Sequence, residues 1–300
     1  MTNERTNLPA SVHQRLLNIA RRDGVEFEYL LLRYANERLL YRLSQSTVRD
    51  SFVLKGAMVF LVWGREVARQ SRDIDLLGRG QMAIERMGDV FRMLCDLDVE
   101  ADGLRFDAES IRIEEIREQT EYGGARVHLT AYLDTARIQL QIDVGFGDAV
   151  SPDPMEEDFP TLLDFPSPRL STYPKETVVA EKFEATVRLG ATNTRLKDFY
   201  DLWSLSRSFE FDGKALVGAV KATFERRRLR IPNDVPVALQ PPFAEQAESQ
   251  WRAFCRRIDV DDPPPFVEVT EAIRDFIMPI CRSIETGALP GGWNPTTGWR

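Results

Sequence analysis

The sequence predicts an α+β protein, with an α/β lobe of half-buried strands followed by an α-helical lobe. Three observations carry this. Between Ile111 and Val144 apolar residues recur at every second position, as in strands whose side chains alternate faces. Residues 147–174 are crowded with proline and acidic residues (SPDPMEEDFP, FPSPRLSTYP), which interrupts both helix and strand periods. Beyond them the apolar spacing returns at three and four residues, the period of helices packed along one face. The expected division is residues 1–150 for a helical lead-in plus the α/β lobe, 151–174 for a connection, and 175–300 for the helical lobe.

In chain order, residues 11–44 read as two helices divided near Asp23-Gly24, with Val25, Tyr29, Leu32, Ala35, Leu39 and Leu43 forming one apolar stripe. Phe52-Val53-Leu54 is a short strand-like run ending in the turn Lys55-Gly56. Met58 to Trp63 is too apolar for the surface, so a buried helix is predicted there. A strand is predicted from Asp73 to Leu77 and an amphipathic helix from Ile84 to Leu97. Two alternating segments follow: Val127, Leu129, Ala131 and Leu133, then Ile138, Leu140, Ile142 and Val144. Leu133 to Arg137 reads as the turn of a hairpin between them. The helical lobe runs to the Gly/Pro-rich end, GALPGGWNPTTGWR. There is no internal repeat, which argues against a solenoid.

Composition narrows the functional classes. With 300 residues and 43% apolar side chains the chain has material for a substantial core. The N-terminal residues lack the apolar stretch of a signal peptide, and no run approaches the length of a membrane span, so a cytoplasmic location with no membrane partner is expected. Cys95, Cys255 and Cys281 are odd in number and far apart, which argues against a disulfide framework or a zinc ribbon. A net charge of −8 argues against a surface coated for duplex nucleic acid, though it leaves room for a local basic groove.

Chemistry concentrates in a few positions. In Arg72-Asp73-Ile74-Asp75-Leu76, carboxylates at i and i+2 of a strand point to the same side while Ile74 and Leu76 turn to the core. Two parallel carboxylates suit a hard cation such as Mg2+, or Mn2+ in its place, which takes oxygen ligands and shares them with substrate phosphates. In Ile138 to Val144 the alternation puts Asp143 on the polar face with Gln139 and Gln141, supplying a third carboxylate from a second strand. Lys55-Gly56, followed by a predicted helix, suggests a turn that receives a phosphate, with Lys55 adding positive charge. In the helical lobe Lys182 shares a stripe with Val178, Ala185 and Leu189, so it either snorkels outward or meets an anion in a cleft. Asp198 and Asp201 lie on an apolar helix and need partners, for which Lys182 and Arg195 are the candidates.

Together the segments LKGAMVFLVWGREVARQSRDIDLL, QIDV and VVAEKFEATVRLGATNTRLKDFYDLW resemble the AbiEii/AbiGii-type nucleotidyltransferase toxins, over about residues 10 to 210. The resemblance implies a polymerase-β-like nucleotidyltransferase lobe with a mixed sheet, followed by the α-helical lobe. It implies an NTP substrate, a divalent metal on Asp73 and Asp75 with Ser71 before them on the triphosphate, Lys182 and Asp198 as the active-site lysine and aspartate of the second lobe, and a cognate antitoxin. Relatives that modify the tRNA 3′ end make tRNA, or another RNA, the implied acceptor. In the residues themselves, Arg226, Arg227, Arg228 and Arg230 form a basic cluster in an otherwise acidic chain, suited either to an RNA backbone or to a solvated helix end. Two rival functions remain: transfer to a small molecule or protein, and nucleotide binding without catalysis.

Overall fold

A computed structural model describes residues 7–64, 70–80, 86–116, 123–288 and 290–300. They divide into two units, one from residues within 1–64, 71–147 and 155–172, the other from residues within 65–70, 148–154 and 173–300.

The first unit opens with α1 (Leu8–Asp23) and α2 (Phe27–Gln45). The Asn7 side chain caps α1 by accepting from the Ala10 N–H at 3.3 Å, and Pro9 sits in the first turn, where a missing N–H costs nothing. Gly24 ends the helix at φ +66°, a left-handed conformation that glycine takes without Cβ strain. Then come β1 (Phe52–Lys55), the single turn α3 (Val59–Val62), β2 (Ile74–Gly78), α4 (Met87–Asp96) and an antiparallel meander of β3 (Leu104–Ile116), β4 (Gly124–Leu133) and β5 (Ala136–Phe146). The helix predicted from Ile84 is observed from Met87; residues 84 and 85 lie outside the described ones. The predicted hairpin turn pairs Leu133 with Ala136, and Asp134 takes φ +52°, which an aspartate tolerates.

Residues 151–174 are not only a connection. They carry β6 (Met155–Asp158) and β7 (Arg169–Thr172), which complete a sheet of order β3-β4-β5-β2-β1-β7-β6 among the described residues. The sheet is mixed: β2 runs parallel to β5 and β1 parallel to β7, while the other neighbours are antiparallel. Four-residue strands bracketed by Pro152, Pro154, Pro166, Pro168 and Pro174 show too little alternation to be read as strands.

The apolar positions of the two alternating runs, Val127, Leu129, Ala131 and Leu133, then Ile138, Leu140, Ile142 and Val144, are all buried, and they share one core with Val12 and Leu16 of α1, Tyr34 and Leu39 of α2, and Phe91 and Leu94 of α4. The single stripe predicted for α2 understates its burial. Asn36, Glu37, Arg38 and Arg42, outside that stripe, are buried too. They are tolerated because partners await them: Asp102 accepts from Arg38 Nε at 3.2 Å and Arg42 Nη1 at 2.6 Å, and Glu37 accepts from the Leu162 N–H at 2.8 Å.

The second unit comprises α5 (Lys175–Leu189), α6 (Leu196–Ser208), β8 (Phe211–Asp212), α7 (Gly213–Arg226), α8 (Pro241–Arg257), α9 (Phe266–Thr286), β9 (Gly292–Asn294) and β10 (Gly298–Trp299). Helix α5 packs on α6 and α7, and α9 on α6, α7 and α8. The Gly/Pro-rich end is a hairpin, β9-β10, paired with β8; Trp293 Nε1 donates to the Ser206 carbonyl at 2.7 Å and Trp299 Nε1 to that of Phe276 at 2.9 Å. No described helix is long and apolar enough to cross a membrane.

Candidate active site

The polar face of the first unit's sheet carries one transverse row of charge. Lys55, Asp75, Asp143, Arg126 and Glu114 are successive Cα partners across β1, β2, β5, β4 and β3. Residues in register on neighbouring strands present their side chains to the same face about 5 Å apart, so Asp75 and Asp143 stand side by side. Alternation puts them there: Ile74, Leu76, Ile142 and Val144 are buried while the two aspartates are partly exposed.

A second relationship explains the turn before them. Gly56 has φ +70°, and a β-carbon on it would fall 2.7 Å from Cβ and 2.6 Å from Cγ of Asp75. The space that the glycine leaves is taken by Asp75. Helix α3, with a single turn, offers little dipole of its own.

Asp73 lies one residue before β2 and is partly exposed. The chain is held there by Asn36 Nδ2, which donates to the Arg72 carbonyl at 2.9 Å, and by Ser71 Oγ, which donates to the Asp73 carbonyl at 3.3 Å. Asp143 accepts two hydrogen bonds from Arg126, Nε to Oδ1 and Nη2 to Oδ2, each at 2.8 Å. Hydrogen bonding to Asp143, opposed by partial burial and reinforced by the charges of Asp143, Asp73 and Glu114, holds the Arg126 pKa above its ordinary value. Asp73 thus acts on the same field as the row.

In the second unit Lys182 reaches two buried carboxylates, Asp198 Oδ1 at 2.9 Å and Asp201 Oδ2 at 2.8 Å, while Arg195 Nε pairs with Asp198 Oδ2 at 2.7 Å. Burial alone would depress the Lys182 pKa; Asp198 and Asp201 outweigh it and leave the pKa raised. Burial would likewise raise the Asp198 pKa, but Lys182 and Arg195 outweigh it and hold that carboxyl below its usual range. The lysine is therefore a fixed cation rather than a snorkelling one.

The arginine run at the end of α7 is split. Arg228 and Arg230 are exposed, but Arg226 is partly buried and Arg227 Nη2 donates to Asp148 Oδ1 at 2.7 Å. Arg227 is thus an internal partner of Asp148, because the chain leaves the helix at Arg226 and turns it inward.

A family model described as the nucleotidyl transferase AbiEii toxin of a type IV toxin–antitoxin system matches residues 38–277. The chain belongs to the AbiEii family. As a member it is a nucleotidyltransferase toxin of a type IV system, which implies an NTP substrate and a cognate antitoxin. The match runs further than the motifs do, taking in α7, α8 and most of α9. No curated protein matches the chain. Among solved structures, JHP933 from Helicobacter pylori is 14% identical over 84% of this chain and 90% of its own, with a TM-score of 0.47. A second solved structure, of a Helicobacter pylori protein described as a nucleotidyltransferase, is 14% identical over 83% of this chain and 92% of its own, with a TM-score of 0.44.

For an AbiEii enzyme the question is whether the carboxylates suit a divalent cation. Among the described residues no three His, Cys, Asp or Glu side chains are grouped as a ready metal cage. Asp143 is turned onto Arg126 instead. The donor set nevertheless fits the open mode of Mg2+ binding, in which one or two carboxylates hold the ion and water and phosphate complete its shell. One residue escaped the sequence reading. Arg126 was signalled by the alternation of β4, which puts it on the face opposite Val127 and Leu129. Lys182 and Arg195 were named as candidate partners of Asp198 and Asp201, but that Lys182 takes both carboxylates depends on how α5 and α6 cross.

Proposed function

We propose that this AbiEii enzyme moves a nucleotide from an NTP to an RNA acceptor, the 3′ end of tRNA, on the charged row of its first unit. The observation that carries the reading is the in-register pair Asp75 and Asp143, with Gly56 clearing the space for Asp75. Asp73, Asp75 and Asp143 would hold a divalent cation, Mg2+ or Mn2+, which would supply charge neutralisation at the α-phosphate and lower the acceptor hydroxyl's pKa. Asp143 receives the hydroxyl proton as the acceptor oxygen bonds to the α-phosphorus, the α–β phosphoanhydride bond breaks and pyrophosphate leaves. Lys55 and Ser71 donate to triphosphate oxygens, and Lys182, oriented by Asp198 and Asp201, keeps its third N–H for an anion. The choice of tRNA rests on the resemblance to relatives that modify its 3′ end, with Arg228 and Arg230 as backbone contacts.

Incubation with each α-labelled NTP and total tRNA, cell protein or small-molecule extract tests this. Label on tRNA that is lost in Asp75→Ala is the expected result. Label on protein or a small molecule would replace the acceptor, and magnesium-dependent binding without transfer would make the chain a non-catalytic module.

A further inference from the structure

Both oxygens of Asp143 accept from Arg126. The fork donates to each at 2.8 Å, and Gln141 Nε2 reaches Oδ2 at 3.5 Å. The pair is open to solvent, the arginine side chain 37% and the aspartate 21% exposed. A side-on guanidinium uses the lone pairs that face it and sets a full positive charge against the carboxylate. A dication arriving at the same oxygens meets lost donor capacity and a like charge. Arg126 also has a second place to go. Its other Cα partner is Glu114, an exposed carboxylate that faces His128 Nε2 at 3.4 Å.

We propose that Arg126 is a displaceable counter-ion of the active-site row, occupying Asp143 in the metal-free enzyme and passing to Glu114 when a divalent cation takes Asp143, an inference that rests on these aspartates holding the cation. Two carboxylates side by side in a sheet repel. Arg126 relieves that repulsion while the site is empty of metal, and by the same contact it weakens metal binding. Glu114 stabilises the displaced arginine and so favours the loaded state.

The test is calorimetric titration of the full chain with Mn2+, without nucleotide, together with melting in EDTA and in saturating Mn2+. Arg126→Gln is expected to bind Mn2+ about 5-fold tighter than wild type, the scale of a partly exposed charge pair. Its Tm should fall in EDTA and return to the wild-type value in Mn2+. Arg126→Lys should fall between, since lysine keeps the charge but not the fork, and Glu114→Gln should bind Mn2+ more weakly. Unchanged or weaker Mn2+ binding by Arg126→Gln overturns the inference; should that variant not fold, unchanged binding by Arg126→Lys does so. Asp143→Asn separates the two levels of the argument: Mn2+ binding that is absent from wild type, or unaffected by this change, removes the cation site and the proposed function with it.

Discussion

A β-carbon at position 56 would lie 2.7 Å from that of Asp75, closer than such atoms approach in proteins. The clash reaches the root of the aspartate side chain, so a rotamer change cannot relieve it. Gly56 also has φ +70°, which costs other residues about 1–2 kcal/mol. Gly56→Ala should therefore destabilise the enzyme by roughly 2–4 kcal/mol, and lower transfer by about 100-fold as Asp75 leaves its row. Urea unfolding and a labelled-nucleotide assay check both effects, and wild-type turnover would show that the row need not be held so closely.

Asp73→Ala and Asp75→Ala should abolish transfer and leave folding within about 1 kcal/mol of wild type, because both side chains are partly exposed and remove little apolar area. A melting curve beside the assay separates chemistry from stability. Turnover by either folded variant would reject the site.

Breaking the Lys182 cluster is a different matter. Asp201→Ala leaves a buried ammonium short of a partner and should cost about 3–5 kcal/mol. The pH dependence follows from the two shifts. Asp198 is lowered, so its contribution is present above the ordinary 3.8 and is lost as pH falls through the folded value. Lys182 is raised, so its contribution is present below 10.5 and is lost as pH rises through the folded value. Stability from this cluster should be flat between those limits, and a slope near neutrality that vanishes in Asp201→Ala would contradict it. Lys182→Ala should also relieve growth arrest when the toxin is expressed alone; equal toxicity of the soluble variant would remove the lysine from the chemistry.

Glu37 titrates in a more accessible range. Burial, opposed by the Leu162 N–H and by Arg38 and Arg33, pushes its carboxyl up to about 7. A raised pKa stabilises the fold below the ordinary 4.5 and loses that contribution as pH rises through 7. Unfolding free energy should fall by roughly 3 kcal/mol across this window, and Glu37→Gln should flatten the slope. Parallel pH profiles for the two proteins would assign the slope elsewhere.

Arg228→Gln with Arg230→Gln should weaken tRNA binding and flatten its dependence on salt, since each phosphate contact releases counterions. Arg227→Gln should instead lower the melting temperature, because it takes a partner from Asp148. Identical salt slopes for wild type and the double variant would return the cluster to a solvated helix end.

What the sequence determined by itself were features set by nearest neighbours along the chain. Period two on β4 and β5 marked both the core residues and the polar face carrying Asp143, and D-x-D at the entry to β2 marked Asp73 and Asp75, because alternation is a local property of extended backbone. The break at Gly24 was local in the same sense. Tertiary structure alone decided who stands beside whom. Parallel pairing of β2 with β5 set Asp75 against Asp143, antiparallel pairing of β4 gave Asp143 to Arg126, and the crossing of α5 and α6 gave Lys182 both Asp198 and Asp201. The same holds for Glu37, Arg38 and Arg42 on α2, whose burial depends on partners as distant in sequence as Asp102 and Leu162. Strand register and helix crossing are fixed by the packing of a whole core, and a charge pair between distant segments leaves no period in the chain for either partner to betray.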